Sequence, residues 1–204
     1  MYVRPAFAET DPARIAELIR ANPFGMLITH SARGLEATHI PFLLKAAAGG
    51  FVLSGHLAAG NPQCDTLDGH QALGVFGGPH AYISPGWYAT QPAVPTWDFA
   101  AVHVTGTLRP MSDPAEIAAD MQGMAEADPT RFKVADMPAE FRARMIAGVR
   151  AFTLVPARVE AQWKMSQNRS IADRRQVEAA LRTQADPMSA GVADLIAATM
   201  PGGG

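Results

Sequence analysis

A single cysteine, Cys64, among 204 residues excludes an internal disulfide framework and suits a reducing compartment. No apolar run is long enough to span a bilayer, and the start MYVRPAFAETDP lacks the apolar core of a signal peptide. The expectation is a soluble, cytoplasmic protein with no membrane partner. Charge of one sign is also missing. Seventeen Lys and Arg against nineteen Asp and Glu leave a formal net charge of -2, so no broad field draws nucleic acid or an anionic membrane. No recognition-helix pattern fits a DNA groove. Several familiar chemistries are absent as well: there is no GxGxxG after a strand, no GxxxxGK[ST], no HExxH and no GxSxG. His39, His56, His80 and His103 are scattered over four strands or loops without metal-ligand spacing, so no metal centre is expected. Internal repeats and heptads are lacking too.

What is present is a large apolar fraction, 48%, enough for one domain with a sizeable core. The stretch Gly78–Gly106, GPHAYISPGWYATQPAVPTWDFAAVHVTG, gathers Trp87, Tyr88, Trp97, His80 and His103 around prolines. Aromatic rings on so stiff a connection form either a core lid or a platform for a flat ligand. Upstream, Asp11-Pro12 predicts a capped helix with Ile15, Leu18 and Ile19 on one stripe, stopped by Asn22-Pro23. Strands are predicted over 24–30, 35–44 (with Pro41 at an edge or bulge), 51–56, 71–77, 80–84 and 99–108. Asn61-Pro62 predicts the cap and first residue of a short helix through Leu67.

After Asp113-Pro114 the period changes to that of a helix, with Ile117, Met121 and Met124 as its stripe and Asp128-Pro129 as its end. A second helix over 138–148 is expected to turn Phe141, Met145 and Ile146 inward. A late strand follows over 152–159, then a helix capped by Ser170 or Asp173 that carries Val177, Ala180 and Leu181. The fold expected is mainly β with added helices, a small closed barrel. Residues 1–185 would form the barrel domain, with helical additions at about 111–150 and 170–184. Residues 186–204 would add a C-terminal helix and a flexible tail ending in PGGG.

Three polar clusters stand out. Thr38 and His39 are adjacent on one strand and point to opposite faces. Ser54 and His56 share a face in SGHLAAGNPQ, ahead of the helix that Asn61 caps. A helix start with hydroxyl, imidazole and amide donors suits a phosphate; equally, Asn61 is a plain cap and His56 a hydrogen-bonded residue at the barrel end. The third cluster, KMSQNRS from Lys164 to Ser170, is either a polar connection or a set of fixed donors for a polar ring edge.

The ordered set ATHIPFLL, SGHLAAGNPQ, GPHAYISPGWY, VPTWDFAAVHVTG and KMSQNRS resembles the PaiB family of FMN-binding negative transcriptional regulators. The resemblance runs over nearly the whole chain. It implies a split β-barrel of the flavin-reductase and pyridoxamine-phosphate-oxidase kind, a homodimer, and FMN in a groove between subunits. By the same resemblance Thr38 and His39, with Lys45 at the strand end, stand where relatives contact FMN. Ser54, His56 and Asn61 stand in the phosphate-binding loop, Trp97 with Pro95-Thr96 lines the ring, and Lys164, Ser166, Gln167 and Asn168 face its polar edge. No catalytic residue is assigned, although flavin-dependent redox activity fits. Two departures are visible. The phosphate loop carries neutral donors where relatives often have Arg or Lys, and neutral donors hold a dianion less firmly than paired cations. Asp98-Phe99 replaces the usual Asn-Tyr. Two other functions compete: a haem-binding or haem-degrading split barrel that uses the strand histidines, and a cofactor-free DNA-binding repressor.

Overall fold

Alternating burial along eight strands, broken by proline-capped helices, sets the architecture. The computed structural model describes residues 1–126 and 128–200; the PGGG tail expected to be disordered lies outside them. The chain order is β1 (Ala8–Glu9), α1 (Pro12–Ala21), β2 (Phe24–Ser31), β3 (Gly34–Pro41), β4 (Leu43–Ala47), β5 (Gly50–Ala58), β6 (Gln71–Ile83), β7 (Thr96–Met111), α2 (Pro114–Met124), α3 (Ala139–Ala147), β8 (Val149–Lys164), α4 (Ile171–Arg182) and α5 (Pro187–Ala198). The strand order is β3-β2-β6-β7-β8-β5-β4, with β1 paired to β8. The β2–β3, β2–β6, β4–β5 and β5–β8 pairs are all antiparallel. This is the mainly β split barrel with added helices that the sequence implies.

Two compact units divide the chain. One takes Met1–Leu18, Gly77–Val102 and the stretch from Glu160 onward; the other takes Ile19–Phe76 and His103–Val159. In the second unit the inner strand faces supply the core: Leu27, Leu53, Phe76, Val104, Phe152 and Leu154 are fully buried. The strand expected over 35–44 is two strands, β3 and β4. Pro41 has no N–H for the ladder, and the chain turns there so that Phe42 donates its N–H to the Pro23 carbonyl and buries its ring edge-on to Phe76, 5.1 Å away.

On the other side of β5, α2 docks. Asp113 Oδ1 accepts from the Ala115 N–H to start the helix. Ile117 packs with Met111 and Ala151, joined by the half-buried Met121, Ile146 and Val149. Asp120 pairs with Lys45, and Gly123 lets the helix lie against Leu43, which a Cβ there would meet at 2.7 Å. α3 departs from expectation. Of the three predicted inward residues only Ile146 packs, against the cluster around Ile117; Phe141 and Met145 stay exposed, and the exposed Ala139, Ala143 and Ala147 line an open groove facing α2.

In the first unit, α4 and α5 pack through Val177, Leu181, Val192, Ala193 and Ile196, all fully buried. Ser170 caps α4 and Asp186 caps α5. The buried Arg174 donates to the Ile196 and Thr199 carbonyls and to Thr199 Oγ1, placing a cation on the last turn of α5. The pieces expected at 71–77 and 80–84 are one strand, β6. Pro79 sits within it, and Gly78 lies so close to Leu18 that a Cβ would come within 2.8 Å of it.

Two predictions follow from this packing. A Cβ on Gly106 would clash with the Val155 carbonyl, lying 2.8 Å from its carbon, whereas at Gly60 nothing stands within 4 Å. Gly106→Ala is therefore expected to cost about 2 kcal/mol or more in urea unfolding, and Gly60→Ala to change little. The second concerns pH. His56 lies directly opposite Ala151, on the face α2 covers; burial lowers its pKa below the ordinary 6.5, only partly offset by the Asp120 charge. The unfolded chain then binds this proton more readily than the folded one. His56 therefore favours the fold above pH 6.5 and loses that contribution as pH falls below it. His56→Gln should flatten the decline in stability measured by denaturant titration between pH 7 and pH 5.

Candidate functional site

The site residues expected from the sequence fall into two groups, one in each unit. In the first unit the centre is Asp98, whose side chain is fully buried at the start of β7. A buried carboxylate needs partners. Ser166 Oγ donates to Asp98 Oδ2 at 2.7 Å, and Lys164 Nζ lies 3.3 Å from Oδ1. Burial still raises the Asp98 pKa above the ordinary carboxylate value, against the lowering effects of the Ser166 hydrogen bond and the Lys164 charge. Lys164 also donates to Thr96 Oγ1 at 2.7 Å and to the Trp97 carbonyl, so its three N–H donors are all committed. Ser166 reaches its position with φ of 55°, a left-handed backbone that serine adopts at a cost. Gln167 bonds at both ends within the chain, accepting from the Met165 N–H and donating to the Trp163 carbonyl. Asn168 is exposed.

These contacts hold the backbone on both sides of Trp97 while its ring points outward, 55% exposed. The Tyr82 ring meets it edge-on at 6.1 Å, and the His80 ring lies 6.3 Å away. His80 and Tyr82 alternate on β6 with the buried Ala81 and Ile83, which puts both on the outward side. The loop before Trp97 is fastened to α4: the Thr90 N–H donates to Asp173 Oδ1 at 2.9 Å, and the Arg169 guanidinium stacks 4.4 Å from the Tyr88 ring centre. The rings of the aromatic stretch therefore divide. Tyr88 is buried in the wall, whereas Trp97 is presented to solvent.

In the second unit, Thr38 and His39 point to opposite faces. His39 is exposed and stacks on Phe24 at 6.0 Å. Thr38 donates to Gln63 Oε1 at 2.6 Å and accepts from Asn61 Nδ2 at 3.1 Å. The short helix after Asn61 is a five-residue 3-10 turn, Pro62–Thr66. Pro62 carries no N–H, Gln63 donates its own to Asn61 Oδ1, and Cys64 donates to the Asn61 carbonyl. Its first turn thus presents no free amide to an anion, contrary to the phosphate-cradle argument from helix amides. Ser54 and His56 share a face, but it is the face covered by α2. Ser54 Oγ is buried without a hydrogen-bond partner there, and so is Asp120 Oδ2.

Sequence patterning overlooks three of these residues. Gln63 is buried, with Nε2 donating to the Leu27 carbonyl, Thr29 Oγ1 and the Glu36 carbonyl, so it pins the 3-10 turn onto β2 and β3. Its only signal is a place at the end of a polar motif. Asp120 lies in a helical stripe of apolar residues, and an acidic residue on such a stripe marks a buried partner. Tyr82 carries the alternation signal that also marks Trp97. Among the described residues no three His, Cys, Asp or Glu side chains gather to hold a metal, and no helix is long and apolar enough to cross a membrane.

With this geometry in place, comparison with known proteins is direct. The family model described as "Putative FMN-binding domain" matches residues 1–158. "Protease synthase and sporulation protein PAI 2" of Bacillus subtilis is 30% identical over 96% of this chain and 96% of its own length. Among solved structures, the flavocytochrome Anf3 of Azotobacter vinelandii has a TM-score of 0.60 at 13% identity, covering 79% of this chain and 72% of that one. The FAD and haem binding protein of Mycobacterium smegmatis has a TM-score of 0.59 at 15% identity, covering 77% and 73%. These two likenesses establish the fold. Family model and full-length relative together place this chain in the PaiB family of FMN-binding-domain proteins.

Proposed function

We propose that this protein is an FMN-binding split-barrel homodimer, cytoplasmic, whose flavin ring rests against Trp97 and whose regulatory role runs through the flavin. The observation that carries the reading is the outward Trp97 ring, 55% exposed yet fixed at its backbone by the Lys164–Asp98–Ser166 cluster. An exposed indole held this firmly is pre-organised for a flat partner, because little freedom is left to lose on binding. The polar atoms of Lys164, Ser166 and Gln167 bond within the chain, so these residues enter as positioning residues. Asn168 is the exposed amide of that group, suited to the ring's polar edge. The flavin, when bound, supplies the redox chemistry; the chain orients it and excludes water from one face.

The phosphate expectation rests on the second unit and is tested by itself. Thr38 and Asn61 bond to each other, His39 stacks on Phe24, and Ser54 and His56 are hydroxyl and imidazole donors on a covered face. Lys45, the cation of that strand end, is paired with Asp120. This donor set lacks the paired cations that hold a dianion firmly. Phosphate therefore contributes modestly, and FMN is expected to bind no more than about tenfold tighter than riboflavin.

A haem reading also draws support, since burial keeps His56 in the neutral, ligating form and two proteins of similar fold are described by name as haem-linked. Direct DNA repression draws none from a chain of net charge -2. Gel shifts at low salt, with and without FMN, should show no retarded promoter complex.

The deciding experiment titrates FMN, riboflavin and haem against the purified protein. It follows flavin absorbance, the Soret band and tryptophan emission. Flavin binding should quench emission, and Trp97→Ala should weaken it at least tenfold. Lys164→Met should weaken it less, by loosening the ring. If wild type and Trp97→Ala bound FMN equally, the ring site would be misplaced; if neither bound flavin and a Soret band lost in His56→Ala emerged, the haem reading would replace this one.

A further inference from the structure

Helices α2 and α3 do not close on each other. Between them, within the second unit, runs an open groove of about 790 Å³. Ala119 on α2 faces into it, as do Ala139, Ala143 and Ala147 at successive i, i+4 positions of α3, and all four are exposed. An apolar surface therefore stands in water with nothing laid against it. Its polar lining is sparse. Gln122 engages both ends of its amide within the chain, accepting from the Val134 N–H at 2.8 Å and donating to the Phe132 carbonyl at 3.4 Å. Arg142 is the one charged residue that lines the groove. Its side chain is half-buried, and its only hydrogen bond among the described residues runs from Nη1 to the Ala135 carbonyl at 3.3 Å. We propose that this groove binds a free carboxylic acid with a long unbranched apolar body, its carboxylate held by Arg142 and its chain lying between α2 and α3.

Charge complementarity selects the head group. A half-buried cation with no carboxylate beside it is incompletely compensated, and a guanidinium presents its donors as a fork that matches a carboxylate. With Nη1 turned to Ala135, other N–H groups of that fork remain for a ligand. Shape and polarity select the body. The nine residues of α3, from Ala139 to Ala147, flank the groove over about 13 Å, close to the length of an extended acid of about ten carbons. The volume is ordinary for a small-molecule site. A peptide segment fits less well, because it brings many polar groups and the groove has one uncommitted polar side chain to meet them. A phosphate ester asks for several cations or amides, and only one cation is here.

Isothermal titration calorimetry of the full chain with sodium decanoate, kept below its micelle-forming concentration, tests the proposal. Decanoate is expected to bind at least about tenfold tighter than hexanoate, which buries fewer methylenes. It should also bind at least about tenfold tighter than decanol, which has the same chain without the charge. Arg142→Gln should bring decanoate down to the affinity of decanol. Ala143→Phe should fill the groove and weaken binding of both by about tenfold or more. Ala143 is exposed, so its substitution leaves the core intact, and thermal unfolding of both variants confirms that they fold. Absence of decanoate binding would overturn the proposal. Equal binding by wild type and both folded variants would also overturn it, by placing the acid on some other apolar surface. The groove is independent of the flavin reading, and a repeat titration in the presence of FMN keeps the two apart. Unchanged decanoate affinity is expected there, whereas competitive displacement by FMN would put the acid in the flavin's place and remove this assignment.

Discussion

A carboxylate with no solvent contact dictates much of the first unit. Asp98 sits fully buried at the start of β7, and an ionised group in that position persists only with hydrogen-bond donors aimed at both oxygens. Supplying them brings the end of β8 to β7 through Lys164 and draws Ser166 into a left-handed backbone. The same lysine grips the residues on either side of the Trp97 ring. Solvation of one charge thus sets the direction of the ring that the functional reading depends on. The raised pKa of Asp98 shows that its partners compensate burial only in part. That residual tension is typical of functional sites, where local stability is commonly sacrificed for geometry.

The second unit resolves its polar burden differently. Gln63 and Asn61 use neutral amides to bind the 3-10 turn to β2 and β3, meeting carbonyls and hydroxyls that would otherwise be orphaned. The network is nearly self-satisfying, and for that reason offers little to an incoming anion. Two polar atoms stay unmatched under α2, Ser54 Oγ and Asp120 Oδ2, next to an imidazole held neutral by burial. Helix α2 is held to the sheet by an apolar contact around Ile117 and by the Lys45–Asp120 pair. Its docking covers the sheet face on which Ser54 and His56 lie.

Much of the fold was legible. Asp11, Asn61, Asp113 and Ser170 each marked an element start, and period-2 and period-3.6 apolar patterns identified most strands and helices, although β4 was read as the end of the strand before it. Boundaries were less legible. Pro79 did not interrupt β6, because a sheet absorbs a proline wherever no ladder N–H is required, and sequence does not reveal which positions those are. The inward face of α3 was also misjudged: Ile146 alone of the expected residues reaches the apolar cluster around Ile117, and Phe141 and Met145 stay in solvent.

What the sequence determined by itself was the family, the split-barrel class, the absence of disulfide chemistry and the set of residues worth considering as a site. The family and the split-barrel class came from the resemblance of its ordered motifs; the lack of disulfides and the candidate elements follow from composition and periodicity, which are local or additive properties. Only the tertiary structure decided which donors remained free. Lys164, Gln167, Thr38 and Asn61 all carry the right atoms for a ligand, yet Lys164, Thr38 and Asn61 bond to groups far away in sequence and Gln167 to the backbone of Trp163 and Met165. Trp97 and Tyr88 are similar as side chains, and long-range contacts alone bury one and expose the other. Hydrogen-bond saturation and burial depend on which distant residues become neighbours, and that information exists only once the chain is folded.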